Sequence, residues 1–110
     1  MLTFPNVIRL KADHNGRMVG FIAGDIRDHE GVSWIATIGV LPEFRGQGIG
    51  RKLLEACEER LPTESIRLCV RASNEAAIRM YRMNGYDIAN KWSRYYEDGE
   101  DALVMEKIRL

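Results

Sequence analysis

The chain has 110 residues, with 16 basic and 16 acidic side chains and a hydrophobic share of 45%; that length suits one domain near the low end for an α/β enzyme, and the balanced charge gives no bulk attraction to nucleic acid or an anionic membrane. The longest apolar run, residues 34–42, is too short to span a bilayer, and residues 1–15 lack the basic-then-apolar pattern of a signal peptide. Cys57 and Cys69 fit no zinc spacing and no disulfide framework, so no metal site is expected and a reducing cytoplasm is the simplest compartment.

In chain order, Val7 to Lys11 and Arg17 to Ile26 read as two strands joined by a turn at Asp13-His14-Asn15-Gly16. The second alternates, with Met18, Ile22 and Ile26 opposite Val19, Phe21 and Ala23. Asp28-His29-Glu30-Gly31 makes a further turn, which puts His14 and His29 on the surface. Ser33 to Val40 is a third strand, and its nearly continuous apolar character predicts burial on both faces.

Val40-Leu41-Pro42-Glu43-Phe44 then leads into Arg45, Gly46, Gln47, Gly48, Ile49, Gly50 and Arg51. This run joins a strand to a helix that extends from about Gly48 to Leu61, with Leu53, Leu54, Cys57 and Leu61 at helical spacing and Pro62 as the stop. Backbone N–H groups at such a helix start favour a phosphate, and glycine permits close approach and φ > 0. The spacing matches neither GxGxxG, which needs glycine at Arg51, nor GxxxxGK[ST]. What remains is Arg-x-x-Gly-x-Gly, read as Arg45, Gly48 and Gly50.

Ile66 to Arg71 is a fourth strand, with Ile66, Leu68 and Val70 facing one way and Arg67, Cys69 and Arg71 the other. Ser73 or Asn74 caps a second helix through about Asn84, where Gly85 stops it. Ala77, Met80, Tyr81 and Asn84 share one face of that helix. Tyr86 to Trp92 and Ala102 to Ile108 form a closing hairpin around Glu97-Asp98-Gly99-Glu100. The order is β-β-β-α-β-α-β-β, an α/β chain with a mixed sheet. Strands three and four should be parallel through a right-handed crossover. No repeat, low-complexity segment or linker divides it, so one domain over residues 1–110 is expected.

That order, with Arg45-x-x-Gly48-x-Gly50 between strand and helix, resembles the GNAT superfamily of N-acetyltransferases from about residue 6 onward. Val70-Arg71-Ala72-Ser73-Asn74-Glu75-Ala76-Ala77-Ile78 resembles the family's second cofactor-contacting segment, with Tyr81 and Asn84-Gly85-Tyr86 behind it. Arg94-Tyr95-Tyr96-Glu97-Asp98-Gly99-Glu100-Asp101-Ala102 is similar to the segment before the last strand in protein N-terminal acetyltransferases, including the ribosomal-protein type. The resemblance implies a GNAT-like fold and acetyl-CoA as co-substrate. Its pyrophosphate would lie on Gly46 to Arg51 with Arg45 beside it, and its pantetheine arm along Ile38, Gly39 and Val40. Asn74, Ala77 and Tyr81 would contact the cofactor from its other side, and Tyr95 and Tyr96 would face the acceptor. Tyr81 is then an acid for the departing thiolate, since a phenol of pKa ~10 can donate to a thiolate whose acid has pKa roughly 8.5.

Plainer readings stand beside these. Tyr81 lies on an apolar stripe and suits the core equally, Asn74 is also a helix cap, Cys69 is also an inert thiol, and the Tyr95-Tyr96 pair also covers a sheet edge. The acidic run Glu97 to Asp101 reads first as a solvated turn.

Two departures from the family pattern matter. Cys69 stands where many ribosomal-protein-type members carry a glutamate base and related enzymes a histidine, and Trp34 stands where some carry a tyrosine. Neither is a base at neutral pH, which leaves water or a carboxylate such as Glu30. An α-amine of pKa about 7.7–8.0 needs little help, whereas lysine near pKa ~10.4 needs much more. The chain also starts at the hairpin, without the strand and two helices that usually precede it. That leaves open a truncation, a diverged minimal form, or a wall supplied by a partner chain. The leading expectation is acetyl transfer to a protein or peptide N-terminus. A small-molecule amine acceptor and an acyl-CoA-binding module with impaired catalysis are the alternatives. A homodimer would cover the sheet edge left by the closing hairpin.

Overall fold

A computed structural model describes residues 6–27 and 30–109, so the surface assignment of His29 lies outside the described residues, as does Asp28 in the same turn. Among the described residues, six strands and two α-helices follow the expected order, in two compact units, residues 1–63 and residues 64–110.

The first unit contains β1 (Val7–His14), β2 (Arg17–Arg27), β3 (Val32–Val40) and α1 (Ile49–Arg60). β1 and β2 are joined by a two-residue turn, Asn15-Gly16, with φ of 52° and 80°. Two positive φ angles in a row define the tight turn whose twist matches antiparallel strands, and Asn-Gly tolerates it best. The turn is narrower than expected: His14 ends β1, paired with Arg17, and is exposed with its ring 5.3 Å from that of Phe44.

β2 departs from strict alternation. Ala12 pairs with Gly20 but Asp13 pairs with Met18, so Val19 is the extra residue of a bulge. Val19 and Ile22 are buried, while Met18 and Phe21 remain 53% and 40% exposed. The helix-facing side of β2 is therefore Gly20, Ile22 and Gly24. A Cβ at Gly20 would fall 3.1 Å from Leu53 Cδ1, and one at Gly24 would fall 3.1 Å from Cys57 Sγ. These glycines let α1 settle on the strand with Leu53, Leu54, Cys57 and Leu61 buried beneath it. Ser33 and Thr63, both buried, satisfy each other through a 2.7 Å hydroxyl pair.

β3 is not buried along its length as its sequence suggests. Val32, Ser33 and Ile35 are buried, Ala36 and Thr37 are exposed, and Ile38 to Val40 are half-buried. Ala23 pairs with Thr37 and Gly24 with Ile35, which makes Ala36 the extra residue of a second bulge. The bulge bends the strand just ahead of the Arg45–Arg51 loop.

The second unit contains β4 (Ser65–Arg71), α2 (Glu75–Met83), β5 (Asp87–Trp92) and β6 (Ala102–Ile108), with β6 antiparallel to both β4 and β5. Ile66, Leu68 and Val70 are buried on one face of β4, as their alternation predicts. α2 is closed at both ends. Asn74 Oδ1 accepts the Ala77 N–H at 3.2 Å. At the other end Gly85 takes φ 95°. There the N–H of Tyr86 reaches Tyr81 C=O and that of Gly85 reaches Arg82 C=O, at 3.0 and 3.1 Å. That bonding pattern usually brings an apolar contact with it. Here the contact is Tyr81 edge-on to Tyr86, with centroids 5.9 Å apart.

Among the described residues β5 pairs only with β6, and a bulge at Ala89 interrupts that pairing. Its outer edge carries Asp87 and Lys91, so short length, bulge and charge blunt it without a covering chain.

Gly24→Val should lower stability by about 1–3 kcal/mol through overpacking against Cys57 and Leu61. Urea unfolding checks this: an unchanged midpoint would mean that α1 does not depend on the missing Cβ.

Candidate functional site

In the first unit the strand end, loop and helix start form one continuous piece. Leu41 N–H donates to Val19 C=O at 2.8 Å, which anchors the chain as it leaves β3. Pro42–Phe44 form a short 3₁₀ turn. Arg45 Nε donates to Val40 C=O at 3.0 Å, pinning the turn to the strand. This uses one of the five N–H donors of the guanidinium.

Gly46 and Gly48 have φ of 78° and 83°, and a Cβ on either would meet nothing within 4 Å. The left-handed angle, rather than crowding, makes glycine the right residue there. Gly50 lies inside the first turn of α1 and is not left-handed. The first helical bond runs from Lys52 N–H to Gly48 C=O at 3.0 Å. The amides of Ile49, Gly50 and Arg51 therefore precede any intrahelical acceptor, as the first turn of a helix requires. Ile38, Gly39, Val40 and the stretch from Arg45 to Arg51 are thus brought together by connectivity. Arg51 also pairs with Glu55 at 3.7 Å.

Glu30 is placed differently. It precedes β3, and the seven residues from Val32 to Ile38 span roughly 20 Å of strand. Glu30 stands at the opposite end of β3 from the loop.

In the second unit the expected residues divide between surface and core. Asn74 is exposed and caps α2, and Ala77 beside it is half-buried. Tyr81 is only 5% exposed. Burial first, and the neighbouring Tyr96 phenol second, push its hydroxyl above the ordinary tyrosine value, so it stays protonated at neutral pH. Cys69 is half-buried and its thiol is pushed up by burial, which removes it as a base near pH 7. Tyr96 is likewise pushed up by burial and then by Cys69, so Cys69, Tyr81 and Tyr96 belong to one neighbourhood.

The acidic run is a turn with Glu97 and Asp98 exposed, as expected, but it is also tied down by hydrogen bonds. Arg71 Nη1 donates to Asp98 Oδ2 at 2.8 Å and to Glu100 Oε1 at 3.0 Å. Its guanidinium carbon sits 4.1 Å from the Tyr96 ring centroid. Ser73 N–H donates to Glu100 Oε2 at 2.8 Å, and Arg94 N–H to Asp101 Oδ1 at 2.9 Å. The Asp98 carboxyl is held below the usual range by the Glu100 N–H and by Arg71, and that of Glu100 by Ser73 and Arg71. Arg71 was the residue that sequence reasoning passed over. The available signal was register: Arg71 pairs with Ala102, which sets the preceding acidic residues beside it.

Among the described residues no group of histidine, cysteine and carboxylate side chains could hold a metal, and no helix is long and apolar enough to cross a membrane.

Comparison with known proteins gives a consistent result. The model of the acetyltransferase (GNAT) family matches residues 3–86. The catalytic subunit NAA10 of the N-terminal acetyltransferase A complex of Arabidopsis thaliana is 34% identical over 114 residues, covering 97% of this chain and 59% of that protein. The crystal structure of the ribosomal-protein-S18-alanine N-acetyltransferase from Escherichia coli has a TM-score of 0.86 at 32% identity, covering 96% of this chain and 72% of that one. A nourseothricin acetyltransferase structure has a TM-score of 0.89 at 27% identity, covering 96% of this chain and 67% of that one. The fold is therefore shared with these proteins. The chain spans about six tenths of the length of the curated relatives it matches, at 59%, 64% and 63%.

Because burial raises its pKa, Cys69 should react with iodoacetamide at pH 7.5 more slowly than free cysteine, and its rate should climb only at more alkaline pH than free cysteine requires. Cys57→Ser isolates the signal. A thiol as reactive as free cysteine at pH 7.5 would contradict the environment described.

Proposed function

The chain belongs to the acetyltransferase (GNAT) family, and on that premise we propose that it transfers the acetyl group of acetyl-CoA to the N-terminal amine of a protein or peptide by direct attack. The observation that carries the choice of acceptor is the 34% identity, over 97% of this chain, to a protein named as the catalytic subunit of an N-terminal acetyltransferase complex. Acetyl-CoA would supply an activated carbonyl. The amine nitrogen adds to that carbon, the C–N bond forms as the C–S bond breaks, nitrogen gives up a proton and sulphur takes one.

Each residue of the chain has a distinct part in this reading. The left-handed turn at Gly46 and Gly48 and the first-turn amides of α1 suit a pyrophosphate, since they combine N–H donors with the positive end of the helix dipole. Ile38, Gly39 and Val40 would flank the pantetheine arm, with a strand N–H available to a developing oxyanion. Asn74 and Ala77 would contact the cofactor from the start of α2. Tyr81 keeps its proton, the state from which an acid must begin. Tyr95 is 55% exposed and stacked edge-on to Tyr96 at 5.1 Å, which suits a surface that meets an acceptor backbone.

The absent strong base bears on the acceptor. With the Cys69 thiol held protonated and Glu30 at the far end of β3, the amine must reach its neutral form largely unaided. An N-terminal amine of pKa about 7.7–8.0 does so near neutrality, and a lysine of pKa about 10.4 does not. A small-molecule amine is the second reading, favoured by the likeness to nourseothricin acetyltransferase at a TM-score of 0.89.

Incubation with acetyl-CoA and a peptide library, read by mass spectrometry, should give acetylation at free N-termini with lysine side chains unmodified. Transfer only to small amines would shift the assignment to the second reading. No transfer to any amine, with acetyl-CoA still bound, would leave a binding module. In the same assay Tyr81→Phe should lower turnover roughly 100-fold, with acetyl-CoA affinity by calorimetry nearly unchanged. Equal turnover would leave Tyr81 as a core residue.

A further inference from the structure

We infer that Arg71 is the positioning residue that sets the Tyr95–Tyr96 segment for the acceptor, a role that rests on the acetyltransferase reading above. The segment from 93 to 101 has no regular secondary structure. A free loop of that length would sample many arrangements, and an acceptor would bear the cost of ordering it.

One guanidinium removes much of that freedom. Arg71 reaches Asp98 at 2.8 Å and Glu100 at 3.0 Å, and lies 4.1 Å from the centre of the Tyr96 ring. A single exposed ion pair contributes little, but here a planar cation is fixed by two carboxylates in one direction and an aromatic face in another. The loop closes around the same point. Tyr96 N–H donates to Glu100 C=O at 3.1 Å and Gly99 N–H to Tyr96 C=O at 2.9 Å. Ala72 N–H donates to Asp101 C=O at 3.1 Å, and Ser73 N–H to the Glu100 carboxylate at 2.8 Å.

The consequence is carried outward by rings. Tyr96, held under Arg71, sits edge-on to Tyr95 at 5.1 Å, and Tyr95 leans on Trp92 at 5.3 Å. Tyr95 thus offers an exposed aromatic surface whose place depends on Arg71 through Tyr96. Arg71 ends β4, a few residues before the Asn74 cap of α2, so the brace ties the tyrosines to the rigid start of that helix. Both bonds leave one nitrogen, Nη1, so a lysine ammonium could reach the same carboxylates, but it would bring no planar group to stack on the Tyr96 ring.

The test compares wild type with Arg71→Ala, Arg71→Lys and Glu100→Gln by steady-state kinetics on a peptide acceptor, together with hydrogen–deuterium exchange of residues 93–101. Arg71→Ala should raise the acceptor KM at least roughly fivefold and leave the acetyl-CoA KM within about twofold. Exchange should rise in 93–101 and not in β4. Arg71→Lys should recover part of the acceptor KM, and Glu100→Gln should cost less than Arg71→Ala and add little on top of it. An Arg71→Ala protein with unchanged acceptor KM, or a rise in the acetyl-CoA KM alone, would overturn the assignment. If Arg71→Ala does not fold, Glu100→Gln decides, and an unaltered acceptor KM with unaltered exchange would overturn it. Wild-type protein that acetylates no amine would instead sink the acetyltransferase reading. In that case exchange in 93–101 alone judges the brace, and equal exchange in Arg71→Ala and wild type would sink it as well.

Discussion

The close approach of α1 to β2 is the constraint from which the first unit takes its form. Gly20 and Gly24 each leave a space that the helix fills with Leu53, Cys57 and Leu61. Two side chains are absent from the strand so that several can be buried from the helix, which exchanges a small loss of strand propensity for apolar contact. Once the helix is seated, its N-terminus is fixed relative to the end of β3. The chain must cross from Val40 to Ile49 in a short reversal, and left-handed Gly46 and Gly48 make that reversal without strain. The exposed amides of the first turn of α1 are thus a product of helix seating and turn geometry together.

Much of this was legible in the residues because local chemistry decides it. Asn15-Gly16 specifies its turn by two positive φ angles, Asn74 specifies a cap, and Gly85 specifies a stop, whatever surrounds them. The apolar stripe of α1 was equally plain, since Leu53, Leu54, Cys57 and Leu61 cover one face at helical spacing. What escaped depends on register. Bulges at Val19 and Ala36 each add one residue, and one residue reverses which face a strand presents. That is why Met18 and Phe21 are exposed where strict alternation would bury one set, and why β3 is open along its later half. The Arg71 network escaped for the same reason: its partners lie 27 and 29 residues away and meet it only when β4 and β6 pair.

The environment of Cys69 sets which protons its neighbourhood holds near neutral pH. A carboxylate or imidazole at that position would offer a proton acceptor near pH 7; a thiol whose pKa burial has raised does not. Tyr81 and Tyr96, both pushed up, are donors and not acceptors at that pH. The three groups form a neighbourhood rich in protons that can be given and poor in sites that can take them. Such a neighbourhood suits the half of an acyl transfer in which a leaving group is protonated. On the reading proposed above, the other half would fall to the acceptor amine itself. An amine that is already about one-tenth neutral at pH 7 meets that requirement and one with pKa above 10 does not.

The acidic residues of the last connection bear on recognition in an unexpected direction. Without partners, Asp98, Glu100 and Asp101 would form a negative patch suited to drawing in a basic chain end. Instead Asp98 and Glu100 share Arg71, and Asp101 pairs with Lys91 at 3.2 Å while accepting the Arg94 amide. Their carboxyls are held below the usual range, so they stay ionised, but each negative charge is met within a few ångströms by a cation or an N–H. Charge at this loop is therefore spent on shape. Beside exposed Glu97 and Asp98, the loop shows outward the ring of Tyr95, 55% exposed and seated against Trp92 and Tyr96. On the reading proposed above, an acceptor would meet an aromatic surface here, flanked by carboxylates whose charge is largely met within the loop.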